Sequence, residues 1–94
     1  MSSYKLTPTT KFKKDYKKIS KNSRKLTLLE DCFGYLIQNG SEAIPAKMLP
    51  HKLIGKYKDC YECHLLPDLL LIWEEYEEEK EIVLLRVGSH SDLF

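Results

Sequence analysis

Three strand-like runs joined by short links fill the C-terminal half of this sequence, and they restrict its possible folds most strongly. The runs are Tyr57–Leu65, Leu69–Trp73 and Ile82–Val87. Pro67 and Asp68 form the first link, and the glutamate-rich stretch Tyr76–Lys80 forms the second. Consecutive strands joined by links this short pair antiparallel, so the sequence predicts a three-stranded meander.

The N-terminal half predicts a short strand followed by a basic helix. Tyr4–Thr7 contains aromatic and β-branched residues, and Pro8 closes it as an edge or opening strand. Thr9 or Thr10 provides a side-chain cap for the helix that follows. The apolar residues of this helix recur at helical spacing, as Phe12, Tyr16 and Ile19.

A second helix follows the polar break at Ser20–Ser23 and ends at Asn39 and Gly40. Its apolar stripe is Leu26, Leu29, Phe33, Leu36 and Ile37. Because 94 residues close only one core, we expect a single domain, residues 1–94. We expect an α+β fold in which the two N-terminal helices pack on one face of a small antiparallel β-sheet.

Side-chain alternation assigns the residues of the meander to faces. In the last strand, Val83, Leu85 and Val87 are predicted to lie under the helices, with Ile82, Leu84 and Arg86 on the uncovered face. In the first strand, Cys60, Glu62 and His64 share one face, and Tyr61, Cys63 and Leu65 share the other. His64 and Arg86 would then lie on the same open face.

The charge of the chain is unevenly distributed. The net charge is +1, yet eight of the fifteen Lys and Arg residues lie in Lys11–Lys25, where Asp15 is the only acid. Such a basic segment favours contact with polyanions, and its exposed lysines include Lys13, Lys14 and Lys17. No signal peptide and no apolar run of about 20 residues is present, so we expect a cytoplasmic protein without membrane contact.

The segment Cys60-Tyr61-Glu62-Cys63-His64 matches the attachment pattern of c-type haem. On a strand, however, the two cysteines point to opposite faces, so they cannot share a haem edge or a zinc ion. We therefore expect no cofactor and no metal. Cys63 is expected to pack in the core, and Cys60 is expected to be incidental.

The candidate chemical groups are the three histidines and their neighbours. His51 and His64 lie at strand borders, Asp68 lies in a turn and His90 follows the last strand. Imidazoles transfer protons near neutral pH, so a cluster of them beside a carboxylate favours acid–base catalysis. In the apolar ending Leu93-Phe94, we expect one residue to anchor the tail and the other to face substrate; the competing interpretation buries both.

Two blocks of this chain resemble the RelE-type toxins of bacterial toxin–antitoxin systems, and specifically their YafQ branch. The first block is Pro50-His51-Lys52-Leu53 with Gly55-Lys56, followed by Glu62–Ile72, which contains His64, Pro67 and Asp68. The second is Leu84–Phe94, with the ending Gly-Ser-His-Ser-Asp-Leu-Phe. Two positions depart from the family: Tyr61 stands where arginine is usual, and Leu69 where an aromatic is frequent.

The resemblance implies a ribonuclease that cuts mRNA on the translating ribosome, neutralised by a cognate antitoxin that would also mediate any contact with operator DNA. The implied site residues are His51, His64, Asp68, Arg86, His90 and Phe94. In this scheme His90 is the general acid, His51 or His64 is the base near Asp68, Arg86 binds phosphate and Phe94 stacks on a base. The alternatives are a non-catalytic module that binds antitoxin or ribosome, and a haem protein.

Overall fold

The fold is a five-stranded sheet with two helices on one face and a short C-terminal helix on the other. A computed structural model describes residues 3–94. The strands are β1 (Lys5–Pro8), β2 (His51–Lys52), β3 (Tyr61–Leu66), β4 (Leu69–Tyr76) and β5 (Glu81–Gly88). The helices are α1 (Thr10–Ile19), α2 (Ser23–Asn39) and α3 (His90–Leu93), and three short 3₁₀ turns cover Gly40–Ala43, Ala46–Met48 and Gly55–Tyr57.

The predicted α+β class and the antiparallel meander are confirmed, but the sheet is mixed. Its strand order is β1-β5-β4-β3-β2, and β1 pairs parallel to β5. The chain between these two strands includes both helices and the meander, so the short-link rule does not apply to them. The sequence analysis missed β2, which pairs antiparallel with β3 at the opposite edge.

Both helices begin where the sequence predicts. The Thr9 side chain accepts a hydrogen bond from Phe12 N, and the Asn22 side chain accepts one from Lys25 N. Gly40 ends α2 at φ +60°, and a Cβ there would lie 2.8 Å from the Glu75 carboxyl carbon. Only glycine fits this position without a shift.

The larger core lies between the two helices and the sheet. On α2 its buried residues are Leu29, Cys32 and Leu36, whereas Ile37 from the predicted stripe is exposed. Cys32 contacts Cys63 across the core, with 3.7 Å between the sulfur atoms. The smaller core, on the other sheet face, contains Cys60, Leu70, Ile72 and Leu93. Cys60 is therefore a packed core residue, not an incidental one.

The face assignment is confirmed for β3 and partly wrong for β5. Cys63 and Leu65 pack in the larger core, with Tyr61 against it. In β5 the residues under the helices are Ile82, Leu84 and Val87, not Val83, Leu85 and Val87. A bulge opposite Ile72 and Trp73 causes the change, because Trp73 pairs with Leu84 and Ile72 with Arg86, which leaves Leu85 out of register.

No helix within residues 3–94 is long and apolar enough to cross a membrane.

The two last residues differ sharply in burial, which predicts a difference in stability. Leu93 is 1% exposed in the smaller core, whereas Phe94 is 53% exposed. We expect Leu93→Ala to lower the free energy of unfolding by about 2–4 kcal/mol. The matched change Phe94→Ala should cost less than about 1 kcal/mol. Urea unfolding of both variants measures this, and equal losses would mean that Phe94 also belongs to the core.

Candidate active site

Strand β2 brings His51 to a buried carboxylate on β3. The register sets His51 opposite Glu62, and His51 Nε2 lies 3.1 Å from Glu62 Oε2. The same oxygen lies 3.7 Å from His64 Nε2. Glu62 is 4% exposed, so it depends on these two imidazoles for polar contact. The Glu62 carboxylate therefore ties two of the candidate histidines together.

The other ring nitrogen of His51 is also engaged. His51 Nδ1 lies 2.7 Å from the carbonyl oxygen of Leu49, which can only accept, so Nδ1 is the donor. Leu49 has a left-handed backbone, with φ +54°. A non-glycine residue held in this conformation is strained, and such strain is often found at functional sites. Here it turns the Leu49 carbonyl toward the ring and fixes the ring's orientation.

His90 is held by Asp68 at the turn between β3 and β4. Asp68 Oδ1 accepts a hydrogen bond from the His90 backbone N–H at 2.9 Å, and it lies 3.1 Å from His90 Nδ1. The backbone N–H and then the ring lower the pKa of Asp68 below its ordinary value. Ser89 begins α3 and caps it by accepting from Asp92 N. The carboxylate thus remains ionised near neutral pH and holds Nδ1, which leaves Nε2 of His90 available.

The three imidazoles form a continuous series, which we call the imidazole row (His51, His64 and His90). The ring centroids of His51 and His64 are 6.4 Å apart, and those of His64 and His90 are 6.2 Å apart. The series continues to Phe94, 6.0 Å from His90, and to Tyr57, 5.5 Å from Phe94 and edge-on to it. Proton-transfer groups and exposed aromatic surface are therefore adjacent.

Arg86 binds Asp15 of α1. Its Nε lies 2.7 Å from Asp15 Oδ2, and its Nη2 lies 3.1 Å from Oδ1. Asp15 also accepts from Val87 N at 3.1 Å. These hydrogen bonds to Asp15 raise the pKa of Arg86, against an opposing effect of burial, and the Tyr57 hydroxyl adds to the increase. Arg86 is thus a rigid cation at the α1 edge of the open face.

The predicted basic residues of α1 lie apart from the imidazole row. Lys13, Lys14 and Lys17 are exposed, and α1 packs on the opposite face of the sheet. Lys13 and Lys17 border an apolar groove of about 580 Å³ beside Phe12 and Tyr16. Their position suits contact with a partner surface and not with the reacting atoms.

Sequence reasoning missed two residues of the site, Glu62 and Tyr57. The sequence pattern placed Glu62 and His64 on the same face, but it did not predict the two-residue strand that brings His51 beside them. Tyr57 was assigned to the first meander strand, whereas it ends a 3₁₀ turn.

Within residues 3–94, no three His, Cys, Asp or Glu side chains are placed to hold a metal ion together. Cys60 and Cys63 pack in different cores, as their predicted opposite faces imply.

The Asp68–His90 contact predicts a pH-dependent stability difference. Because the folded-state pKa of Asp68 is lowered, its contribution is complete above the unfolded value, about 4, and is lost as the pH falls through the folded value. We expect Asp68→Asn to reduce the melting temperature above pH 5, and the gap from the parent protein to close in more acidic solution. A gap that stays constant down to pH 2.5 would contradict this linkage.

The family model "Bacterial toxin of type II toxin-antitoxin system, YafQ" matches residues 4–94. A search of curated protein sequences gives no significant match.

Three solved structures illustrate the likeness. The structure of YafQ from E. coli is 26% identical, covers 97% of this chain and 98% of that chain, and has a TM-score of 0.84. The structure of the E. coli DinJ-YafQ toxin-antitoxin complex is 27% identical, covers 98% of this chain and 98% of that chain, and has a TM-score of 0.83. The structure of a metal-bound toxin from Helicobacter pylori is 39% identical, covers 97% of this chain and 99% of that chain, and has a TM-score of 0.81. The family match spans nearly the whole chain, and these folds superpose over their full lengths. The chain therefore belongs to the YafQ family of toxins of bacterial type II toxin–antitoxin systems.

Proposed function

We propose that this toxin is a metal-independent endoribonuclease that cuts mRNA on the translating ribosome and so inhibits translation. The observation that carries the proposal is the imidazole row, three proton-transfer groups in series on an exposed sheet face beside two carboxylates. RNA supplies its own nucleophile, so acid–base groups and phosphate contacts are sufficient for the reaction.

The reaction is a transfer within the RNA strand. A general base removes the proton of the 2′-hydroxyl, and the 2′-oxygen forms a bond to the adjacent phosphorus. The bond from phosphorus to the 5′-oxygen breaks, and a general acid protonates that oxygen. The products are a 2′,3′-cyclic phosphate and a free 5′-hydroxyl. No oxidant, reductant or added water takes part.

His90 is the general acid, because Asp68 holds its Nδ1 and leaves Nε2 to face the leaving oxygen. His64 is the better candidate for the base. Both ring nitrogens of His51 have close polar neighbours, at 2.7 and 3.1 Å. Among residues 3–94, the one polar contact found for His64 is that to Glu62, at 3.7 Å. His51 and Glu62 then orient His64 from one side, as Asp68 orients His90 from the other.

Substrate and partner contacts complete the proposal. Phe94 is exposed beside His90 and suits stacking on an unpaired base. Arg86 contributes a phosphate ligand at the edge of the face. Lys13, Lys14 and Lys17 contact ribosomal RNA. DinJ is bound to YafQ in the E. coli complex, which supports a cognate antitoxin as the protein partner of this chain.

Removing the proposed acid tests the function. We expect His90→Ala to lower kcat on programmed ribosomes by about 10²–10⁴-fold while melting temperature and antitoxin binding stay unchanged. A substrate with sulfur in place of the leaving 5′-oxygen needs little protonation, so it should restore the variant selectively. Equal slowing on both substrates would remove His90 as the acid. Cleavage should also survive a chelator selective for transition metals.

Growth separates this enzyme from the alternative, a non-catalytic module that binds antitoxin or ribosome. Induced expression should arrest growth, and His90→Ala should abolish the arrest. Toxicity that persists in the variant would favour the binding module.

The α1 lysines predict a different effect. Replacing Lys13, Lys14 and Lys17 by glutamate should weaken ribosome binding and flatten its salt dependence, because fewer counterions are released. Cleavage by the bound variant should keep its rate, since these residues lie on the face opposite the imidazole row. Binding measured at several salt concentrations checks this. An unchanged slope would exclude α1 from the ribosomal contact.

A further inference from the structure

A second pocket lies at the edge of the open face, between α1 and β5. Its volume is about 350 Å³, at the lower end of the range for ligand pockets, roughly 300–1,000 Å³. It is lined by Thr9, Thr10, Lys11, Tyr57, Leu85 and Arg86, and we call it the Lys11 pocket. The imidazole row does not contribute to it.

The side chains around the Lys11 pocket are almost all hydrogen-bond donors. Lys11 and Arg86 carry positive charge, Tyr57 and Thr10 carry hydroxyl groups, and no carboxylate lines the space. Asp15 lies behind Arg86 and takes only its Nε and one N–H of Nη2. The guanidinium also contacts the Tyr57 hydroxyl. The Tyr57 hydroxyl already donates to the Leu93 carbonyl oxygen. Two cations and the Thr10 hydroxyl around one small space favour an anion with several oxygen atoms.

The Lys11 pocket is connected to the imidazole row through Tyr57. The Tyr57 ring meets Phe94 edge-on at 5.5 Å, and Phe94 lies 6.0 Å from His90. The Tyr57 hydroxyl lies 3.4 Å from the Leu93 carbonyl oxygen, which fixes Tyr57 against the tail. The Tyr57–Phe94 pair thus links the pocket to the proposed acid, and one RNA strand that crosses this pair would reach both.

We propose that the Lys11 pocket binds a backbone phosphate of the mRNA next to the one that is cut, with Lys11 as a substrate-binding residue beside Arg86. This assignment rests on the proposed function. It gives Arg86 a flanking phosphate as its ligand, because Arg86 contacts Asp15 and Tyr57 and lies on the α1 side, away from His51 and His64.

Single neutral substitutions in the mRNA test the Lys11 pocket. Each phosphate near the cleavage position is replaced in turn by an uncharged methylphosphonate, and the ribosomes are programmed with these messages. With the parent protein, a methylphosphonate at one flanking position should raise KM by about three- to tenfold with little change in kcat. Lys11→Gln should raise KM by a similar factor on normal mRNA. A methylphosphonate at that position should then cause no further increase in KM for this variant.

Lys18→Gln is the matched control, since it removes the same charge two turns further along α1, outside the pocket. It should keep the parent pattern. Equal behaviour of Lys11→Gln and Lys18→Gln would overturn the proposal, as would a methylphosphonate effect that persists in Lys11→Gln. The proposal would also be overturned if inorganic phosphate competed with mRNA while no methylphosphonate position affected KM. That result would show a site for the free ion only.

Binding of a message with a 2′-deoxy residue at the cleavage position separates this proposal from the proposed function. The same variants should show the same position-specific loss of affinity, although no cleavage occurs. If the pattern is present with uncleavable mRNA and the toxin never cuts normal mRNA, the pocket stands and the nuclease function falls. If the toxin cuts normal mRNA and the pattern is absent, the nuclease function stands and the pocket assignment falls.

Discussion

Burial of the central strand β4 on both of its faces determines where the site lies. Leu71 and Trp73 pack under the helices, and Leu70 and Ile72 pack on the other face. The second face has no large helix over it, so it is closed by smaller pieces, above all Leu93 of α3 with Cys60. Because Leu93 is fully buried, α3 has a fixed position, and His90 and Phe94 at its two ends have fixed positions as well. Packing and the geometry of the candidate site therefore depend on the same four-residue helix.

Two carboxylates in opposite environments orient the imidazole row. Glu62 is buried, and a buried carboxylate without partners costs free energy, so its contacts to His51 and His64 favour one arrangement of both rings. Asp68 is exposed and gains little from burial, but it accepts both the backbone N–H and the ring of His90. The buried acid holds two rings of the row together, while the exposed acid holds the third ring, which we propose as the general acid.

The sequence predicted the elements with strong periodicity and failed where pairing decides the structure. The helices, their caps, the meander and the faces of β3 follow from local patterns, and they are confirmed. β2 has only two polar residues, so no apolar alternation marks it. The bulge beside Leu85 depends on how β4 and β5 fit together, and it reversed the predicted faces of Ile82 and Leu84. The histidines, Asp68 and Arg86 could be named from the sequence, but the partners Glu62, Asp15 and Tyr57 could not, because those contacts span distant segments.

The Lys11 pocket exists because β1 is shorter than β5. β1 ends at Pro8, level with Leu84, and α1 begins two residues later at Thr10. The edge of β5 beyond Leu84 therefore has no strand beside it, and side chains take over its polar groups. Thr9 Oγ1 donates to the Leu85 carbonyl, and Asp15 accepts from Val87 N. These two contacts hold α1 against the unpaired edge of β5. The space beside them is lined by Arg86, whose Nε binds Asp15, and by Lys11. A strand that continued past Pro8 would close this space, so the early end of β1 creates a position where the basic α1 meets the open face.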